Sequence, residues 1–544
     1  RACDSCKRRK VRCDASIPCA NCRISHLDCA YTIPQRKRGP RMLPRSPIQA
    51  SPAPQTPASM PPTPTMAPTP MMTVTTADGF ASWEPADVDL PAIASPDSAR
   101  SPRGIQDGLA VSLQAVLPSL NLLQVVTYCI DLYMQYTFPT APLVHEPTLR
   151  ANAALFFSDA LPNPHHDAAN EQERVALLRG FALVTAVCAS VASVMPNSLI
   201  PYRHLLVKPF LHASRETLRS FEDYDLEHPN SASMVIRVFH STALQHMTGK
   251  HGAAWHVQGQ ATLIAQTLHL YSEERLPRVD PVESKLLRLN FWHMYASDHV
   301  AAAFRDRTAL LLEPLFYGGL TLQPDSGQEA PLVDPSKPWY DEAFEDRLLA
   351  GFHLFRRVSL SAAKLVLEIR KCAQVQGEQD RARLAQDYFE YTGLLDDLPH
   401  WLYVSNLETS DDDSEGVRFQ KRSFWVQRCT ILVTFHCFRL VILRQSTQSR
   451  MADITGLADD PLVLSMKNIE MISDFLQTLD DIPFIYLQVK GEPTVERIRR
   501  VGTILLELRL TTSNDAIRKR ARTYGRRLLD ILAMLNSKAS DDLD

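Results

Sequence analysis

Cys3, Cys6, Cys13, Cys19, Cys22 and Cys29 fall within the first 29 residues of a 544-residue chain that holds eleven cysteines in all. Their spacing is a repeat, C-x2-C-x6-C twice, joined by "DASIP". Six clustered thiols offer two chemistries. A disulfide knot allows many alternative pairings and belongs to small secreted domains. A metal cluster uses each C-x2-C pair as a chelating elbow. Charge separates the two. Lys7, Arg8, Arg9, Lys10 and Arg12 surround Cys6 and Cys13, and neighbouring cations favour the thiolate, which is the metal-binding form. An all-sulfur tetrahedral site favours zinc. One tetrahedral zinc cannot use six thiolates. Two zincs need eight bonds, so two of the six sulfurs must bridge. Two Zn(II) ions per chain are expected.

The two repeats differ in what they carry between the cysteines. Lys7, Arg8, Arg9, Lys10, Val11 and Arg12 align with Arg23, Ile24, Ser25, His26, Leu27 and Asp28. The halves share a metal scaffold, and the first should meet a polyanion while the second braces it. Each C-x2-C is expected to start a short helix, too short to be stable alone, so the metal must hold it.

The six cysteines, the run "KRRKVR" and Pro18 just before Cys19 resemble the fungal Zn2Cys6 binuclear-cluster transcription factors. The resemblance implies that Cys3 and Cys19 bridge the metals and that Pro18 sits in a cis-proline loop. It also implies that the first short helix enters the DNA major groove and reads a CGG triplet. The base-reading positions fall on Lys10 and Arg9, where cations donate to guanine O6 and N7. Lys7, Arg8, Arg12 and Arg23 suit phosphates, as do Arg36, Lys37 and Arg38 of "QRKRGPR", a segment that also fits a nuclear import signal.

Around this module the composition changes sharply. Residues 1–41 carry eleven Lys/Arg against three Asp, a net +8, within a chain of net charge −3, so the remainder carries −11. A basic head on an acidic body points to a polyanion partner for the head. Residues 42–118 are expected to be a disordered Pro/Ser/Thr-rich linker, as in "SPAPQTPASMPPTPTMAPTP", because such a chain cannot bury a core. Within it, "FASWEPADVDL" interleaves apolar and acidic residues as activation segments do. The prolines leave no apolar heptad there, so any homodimer should form through the body.

From residue 119 to 544 the pattern is helical. Leu120, Leu123, Val126, Ile130 and Met134 recur at helical spacing, as do Val257, Ala261, Ile264 and Leu268, and Leu287, Phe291, Met294 and Ala301. An all-α domain is expected. The order "FPTAPLVHEPTL", "GQATLIAQTLHL", "FWHMYASDHVAAAFRDR" resembles the fungal transcription factor regulatory, or middle homology, domain, which implies regulation and not catalysis. No catalytic constellation is evident. His240, His246, His251 and His256 are read as core or surface residues, and "TGKHG" lacks the residues of a P-loop. The apolar run 181–195 reads as a buried helix rather than a membrane span. Lone Cys129, Cys188, Cys372, Cys429 and Cys437 suit a reducing compartment. The chain is expected to be a nuclear, non-enzymatic, sequence-specific transcription activator. It should bind double-stranded DNA at CGG-type sites and engage the transcription machinery, off the membrane. The "CANC" elbow and "KRGP" tail resemble those of regulators of carbon-source or secondary-metabolite genes.

Overall fold

A computed structural model describes residues 3, 4, 6, 13, 16–19, 22, 23, 29 and 30, then 101–118, 121–158, 170–305, 307–324, 330–375 and 379–535. The chain divides into two compact units, Arg1–Asp89 and Leu90–Asp544. Among the described residues there is no β-strand.

Several helices of the second unit start where a side chain caps the first turn and proline opens it, the arrangement that satisfies orphan N–H groups at no cost to the ladder. Helix α1 (Pro102–Val116) is capped by Ser101, whose Oγ accepts from Gly104 N at 3.1 Å. This helix corrects the expectation of a disordered linker to residue 118. Ser101–Pro102 is a helix start set in a proline-rich context, and Leu109 and Leu113, four apart, give α1 an apolar face that is buried. Next come α2 (Leu122–Tyr136), α3 (Glu146–Phe157), α4 (Glu171–Val194), α5 (Arg203–Arg219), α6 (Ser231–Thr248) and α7 (His251–Thr267). Helix α8 (Pro281–Phe304) is capped by Asp280, then follow α9 (Glu342–Val375), α10 (Gln379–Thr392) and α11 (Glu415–Gln448). Helix α12 (Pro461–Asp481) is capped by Asp460, and α13 (Glu492–Thr511) and α14 (Asp515–Leu535) follow; shorter helical turns at Glu222–Glu227, Val404–Leu407 and Phe484–Gln488 lie between the longer helices.

Two helices are buried on nearly every side, and both follow from composition. Helix α4 is rich in Ala, Val and Ser, so α5 and α6 pack closely against it. Its buried hydroxyls are satisfied along the helix, as where Thr185 donates to Phe181 O at 2.8 Å and Ser193 to Ser190 O at 2.7 Å. Helix α11 carries Phe424, Trp425, Ile431, Phe438 and Ile442 into the core against α9. Gly351 on α9 makes that approach possible, because a Cβ there would lie 2.1 Å from Gln427 Oε1. Gln427 Nε2 in turn donates to Pro139 O and Leu348 O, each at 2.7 Å.

Both helices are long and apolar enough to cross a membrane by length and composition, which the sequence reading of 181–195 understated. In each, 78% of the apolar window is buried inside the protein. The residues expected to face the core do so in most cases: Val126, Ile130, Met134, Ala261, Ile264, Leu287, Phe291 and Met294 are buried.

Candidate metal centre and nucleic-acid interface

The six N-terminal cysteines converge, and the sequence repeat becomes a structural one. In each elbow the second cysteine donates its backbone N–H to the first sulfur: Cys6 N to Cys3 Sγ and Cys22 N to Cys19 Sγ, both at 3.4 Å. Each repeat then closes on its third cysteine, with Cys3 N donating to Cys13 Sγ at 3.5 Å and Cys19 N to Cys29 Sγ at 3.2 Å. Between repeats, Cys3 Sγ lies 3.5 Å from Cys22 Sγ, and Cys19 Sγ lies 3.5 Å from Cys6 Sγ. Cys3 and Cys19 are 3.7 Å apart at sulfur.

These positions fit zinc. Cys3, Cys6, Cys13 and Cys19 form one group of sulfurs within 4.8 Å of one another, and Cys3, Cys19, Cys22 and Cys29 form another. Cys3 and Cys19 belong to both. A zinc tetrahedron with Zn–S of about 2.3 Å has an edge of about 3.8 Å, close to the cross-repeat separations. None of the six sulfurs is joined in a disulfide, and sulfurs 3.5 Å apart are far outside the ~2.05 Å of such a bond. Cys3, Cys6, Cys19 and Cys22 are fully buried, while Cys13 and Cys29 are partly so.

The electrostatics single out the shared pair. The N–H from Cys6 holds the Cys3 thiol down to about 6, and the N–H from Cys22 lowers Cys19 in the same way. Burial instead pushes Cys6 up, and Cys22 up to about 12. The backbone thus stabilises negative charge on the two sulfurs that lie in both groups.

The peptide framework supports the repeat. Asp4 N donates to Ala30 O at 2.8 Å, tying the start of the module to its end. The joining segment turns through a cis Ile17–Pro18 bond, as the resemblance implied, and Ser16 Oγ donates to Pro18 O at 3.2 Å.

Of the residues expected to meet DNA, Arg23 is exposed, its N–H donating to Cys19 O at 2.9 Å. Lys7, Arg8, Arg9, Lys10, Arg12, Arg36, Lys37 and Arg38 lie outside the described residues, as do 31–100 with the activation-like stretch.

In the body the sequence-flagged histidines and cysteines lie in different settings. His240 is buried, its Nε2 2.7 Å from Ser214 Oγ. His246 Nε2 accepts from Glu492 N at 3.0 Å, and His256 is exposed. Cys129, Cys188, Cys372, Cys429 and Cys437 are buried free thiols, and burial pushes Cys429 and Cys437 up to about 12. Sequence reading missed a set of cations around a cavity, Lys490 and Arg497 among them. The available signal was a lysine ending the apolar run "FIYLQVK".

Residues 1–38 match the fungal Zn(2)-Cys(6) binuclear cluster domain. The N-terminal module is such a domain and binds two zinc ions. It is 50% identical over 42 residues to the maltose fermentation regulatory protein MAL13 of Saccharomyces cerevisiae, covering 8% of this chain and 9% of that one. It is 53% identical over 38 residues to the arabinolytic transcriptional activator araR of Emericella nidulans, covering 7% and 5%. It is 42% identical over 36 residues to the multidrug resistance regulator 2 of Candida albicans, covering 7% and 5%. The chain thus spans less than a tenth of the length of the relatives it matches.

Proposed function

We propose that this protein is a nuclear, sequence-specific regulator of RNA polymerase II transcription. Its zinc cluster docks the first repeat in the major groove at CGG-type triplets. The observation that carries the reading is the pair of four-sulfur groups sharing Cys3 and Cys19, set beside the five cations of residues 7–12. Zinc here is structural. It fixes two short helices whose own length cannot stabilise them, and it leaves all six sulfurs occupied, with no open position for catalysis. Two Zn(II) and six thiolates together carry −2, so segment 1–41 with its net +8 keeps about +6, enough to hold a polyanion.

Lys10 and Arg9 read guanine edges, whereas Lys7, Arg8, Arg12, Arg23, Arg36, Lys37 and Arg38 contact phosphates. Residues 42–100 tether the head and offer an activation segment at 80–90. The helical body is the regulatory domain. It engages the transcription machinery, supplies any dimer contact and controls activity at carbon-source or secondary-metabolite genes. The names of relatives that govern maltose and arabinose functions favour the first of these gene classes. Helix α1 belongs to the body. Its apolar face is spent against α5, and Gln106 Nε2 donates to Phe156 O at 2.6 Å, so it is no free dimer seam. A gel-shift assay of the full chain tests the reading. Duplexes with CGG should be bound in preference to the same duplexes with that triplet scrambled, and equal binding to both would exclude it.

A further inference from the structure

A cavity of about 320 Å³ lies inside the helical body where the end of α2, α6, α8, α11 and the start of α13 meet. That volume is in the range that holds small molecules. Much of its wall is apolar, including Val238, Phe239, Val300, Phe304 and Val433. Two cations face it without an ion pair among the described residues. Lys490 Nζ donates to Thr140 Oγ1 at 2.6 Å and makes no ion pair among the described residues. Burial, with the repulsion of nearby Arg497, pushes its pKa down to about 8. Arg497 is 7% exposed. One of its terminal nitrogens donates to Pro493 O at 2.7 Å, while its Nε is buried without a partner. It too makes no ion pair among the described residues. Thr434 Oγ1, fully buried on the same wall, is likewise unpartnered.

The other titratable groups around the cavity leave this charge standing. Glu496, the one carboxylate lining it among the described residues, is taken by Arg305, which donates to both its oxygens at 3.1 and 2.7 Å. His293 is held neutral at neutral pH, burial pushing it down to about 4. The thiols nearest the two cations, Cys429 and Cys437, are pushed up to about 12 and supply no anion. Arg497, buried with an unsatisfied donor beside the part-buried Lys490, is costly unless an anion is brought to it.

We infer that this cavity binds a small organic anion, with its carboxylate or phosphate at Lys490 and Arg497 and its carbon skeleton against the apolar walls. A neutral sugar serves as the contrast, because it brings no charge to the two cations. The site goes beyond DNA recognition and does not depend on it.

The test is isothermal titration of the full zinc-loaded chain with benzoate, citrate and glucose 6-phosphate, with maltose and arabinose as neutral controls. At least one anion should bind, and citrate against glucose 6-phosphate separates carboxylate from phosphate recognition. Lys490→Gln should weaken that binding about tenfold or more while two zincs per chain are retained. Val300→Phe, which fills the cavity and keeps both cations, should weaken it as well and covers the case in which Lys490→Gln misfolds. Binding of no anion, equal binding of the neutral sugars, or unchanged affinity in either folded variant would overturn the inference. DNA binding is not part of the readout, so the two proposals fail separately.

Discussion

The N-terminal module and the helical body reach a fixed structure by different means. The module's small core consists of sulfur: Cys3, Cys6, Cys19 and Cys22 are fully buried, with Cys13 and Cys29 packed against them. The body buries large apolar side chains along every long helix, with Phe291, Phe438, Phe475 and Tyr133 among the most enclosed. A segment of about 40 residues has too little surface to bury to pay for its chain entropy, so coordination bonds must do it. A body of more than 400 residues has no such need. One chain is then expected to have two independent stabilities, each removable without touching the other.

Metal removal should break that comparison most forcefully. Structural zinc supplies on the order of 10–16 kcal/mol of apparent binding energy that is also folding energy. A strong chelator should abolish DNA binding and leave the body's helical circular dichroism and melting temperature in place. Loss of helicity across the chain would refute the division. Within the module, Cys3→Ser should release both ions because its sulfur is shared, whereas Cys13→Ser should leave one. Native mass spectrometry distinguishes the two, and equal losses would refute the sharing.

The converse lesion lies in the body. Phe438, fully buried and stacked on Phe304 at 4.7 Å, should cost about 3–5 kcal/mol when cut to alanine. Denaturant unfolding of the body should shift accordingly while zinc content stays at two. Smaller still are the effects that split the head itself. Lys10→Ala should lose about 1–3 kcal/mol of discrimination for CGG. Arg12→Ala should weaken all sequences alike and reduce the salt slope by about one. Equal loss of specific and non-specific binding in both variants would remove the distinction between base-reading and phosphate-holding residues.

Sequence and structure agree most closely where geometry is encoded in spacing. The doubled C-x2-C-x6-C fixes which sulfurs can meet, and those six meet. Helical periodicity places Val126, Ile130, Ile264, Phe291 and Met294 in the core, because one buried face at 3.6 residues per turn leaves an unmistakable trace. Helix α1 escaped because prolines upstream mask its start, and the cap at Ser101 with Leu109 and Leu113 is a short-range signal. The cavity escaped for a different reason. Thr140, Thr434 and the stretch holding Lys490 and Arg497 come from three separate segments, and nothing local records that Gly491 lets the chain turn beside His246. Gly491 has φ +57°, and a Cβ there would lie 2.3 Å from His246 Nε2, so the contact exists only for glycine.

Selection of bound duplexes from random DNA by the zinc-loaded chain tests the central claim most directly. The account predicts enrichment of CGG triplets. Where triplets occur in pairs, spacings should be broad, since prolines break any apolar heptad after the cluster that could fix two heads in register. The same selection after chelation should return no enriched motif. Enrichment that survives chelation, or a zinc-dependent motif without CGG, would contradict it.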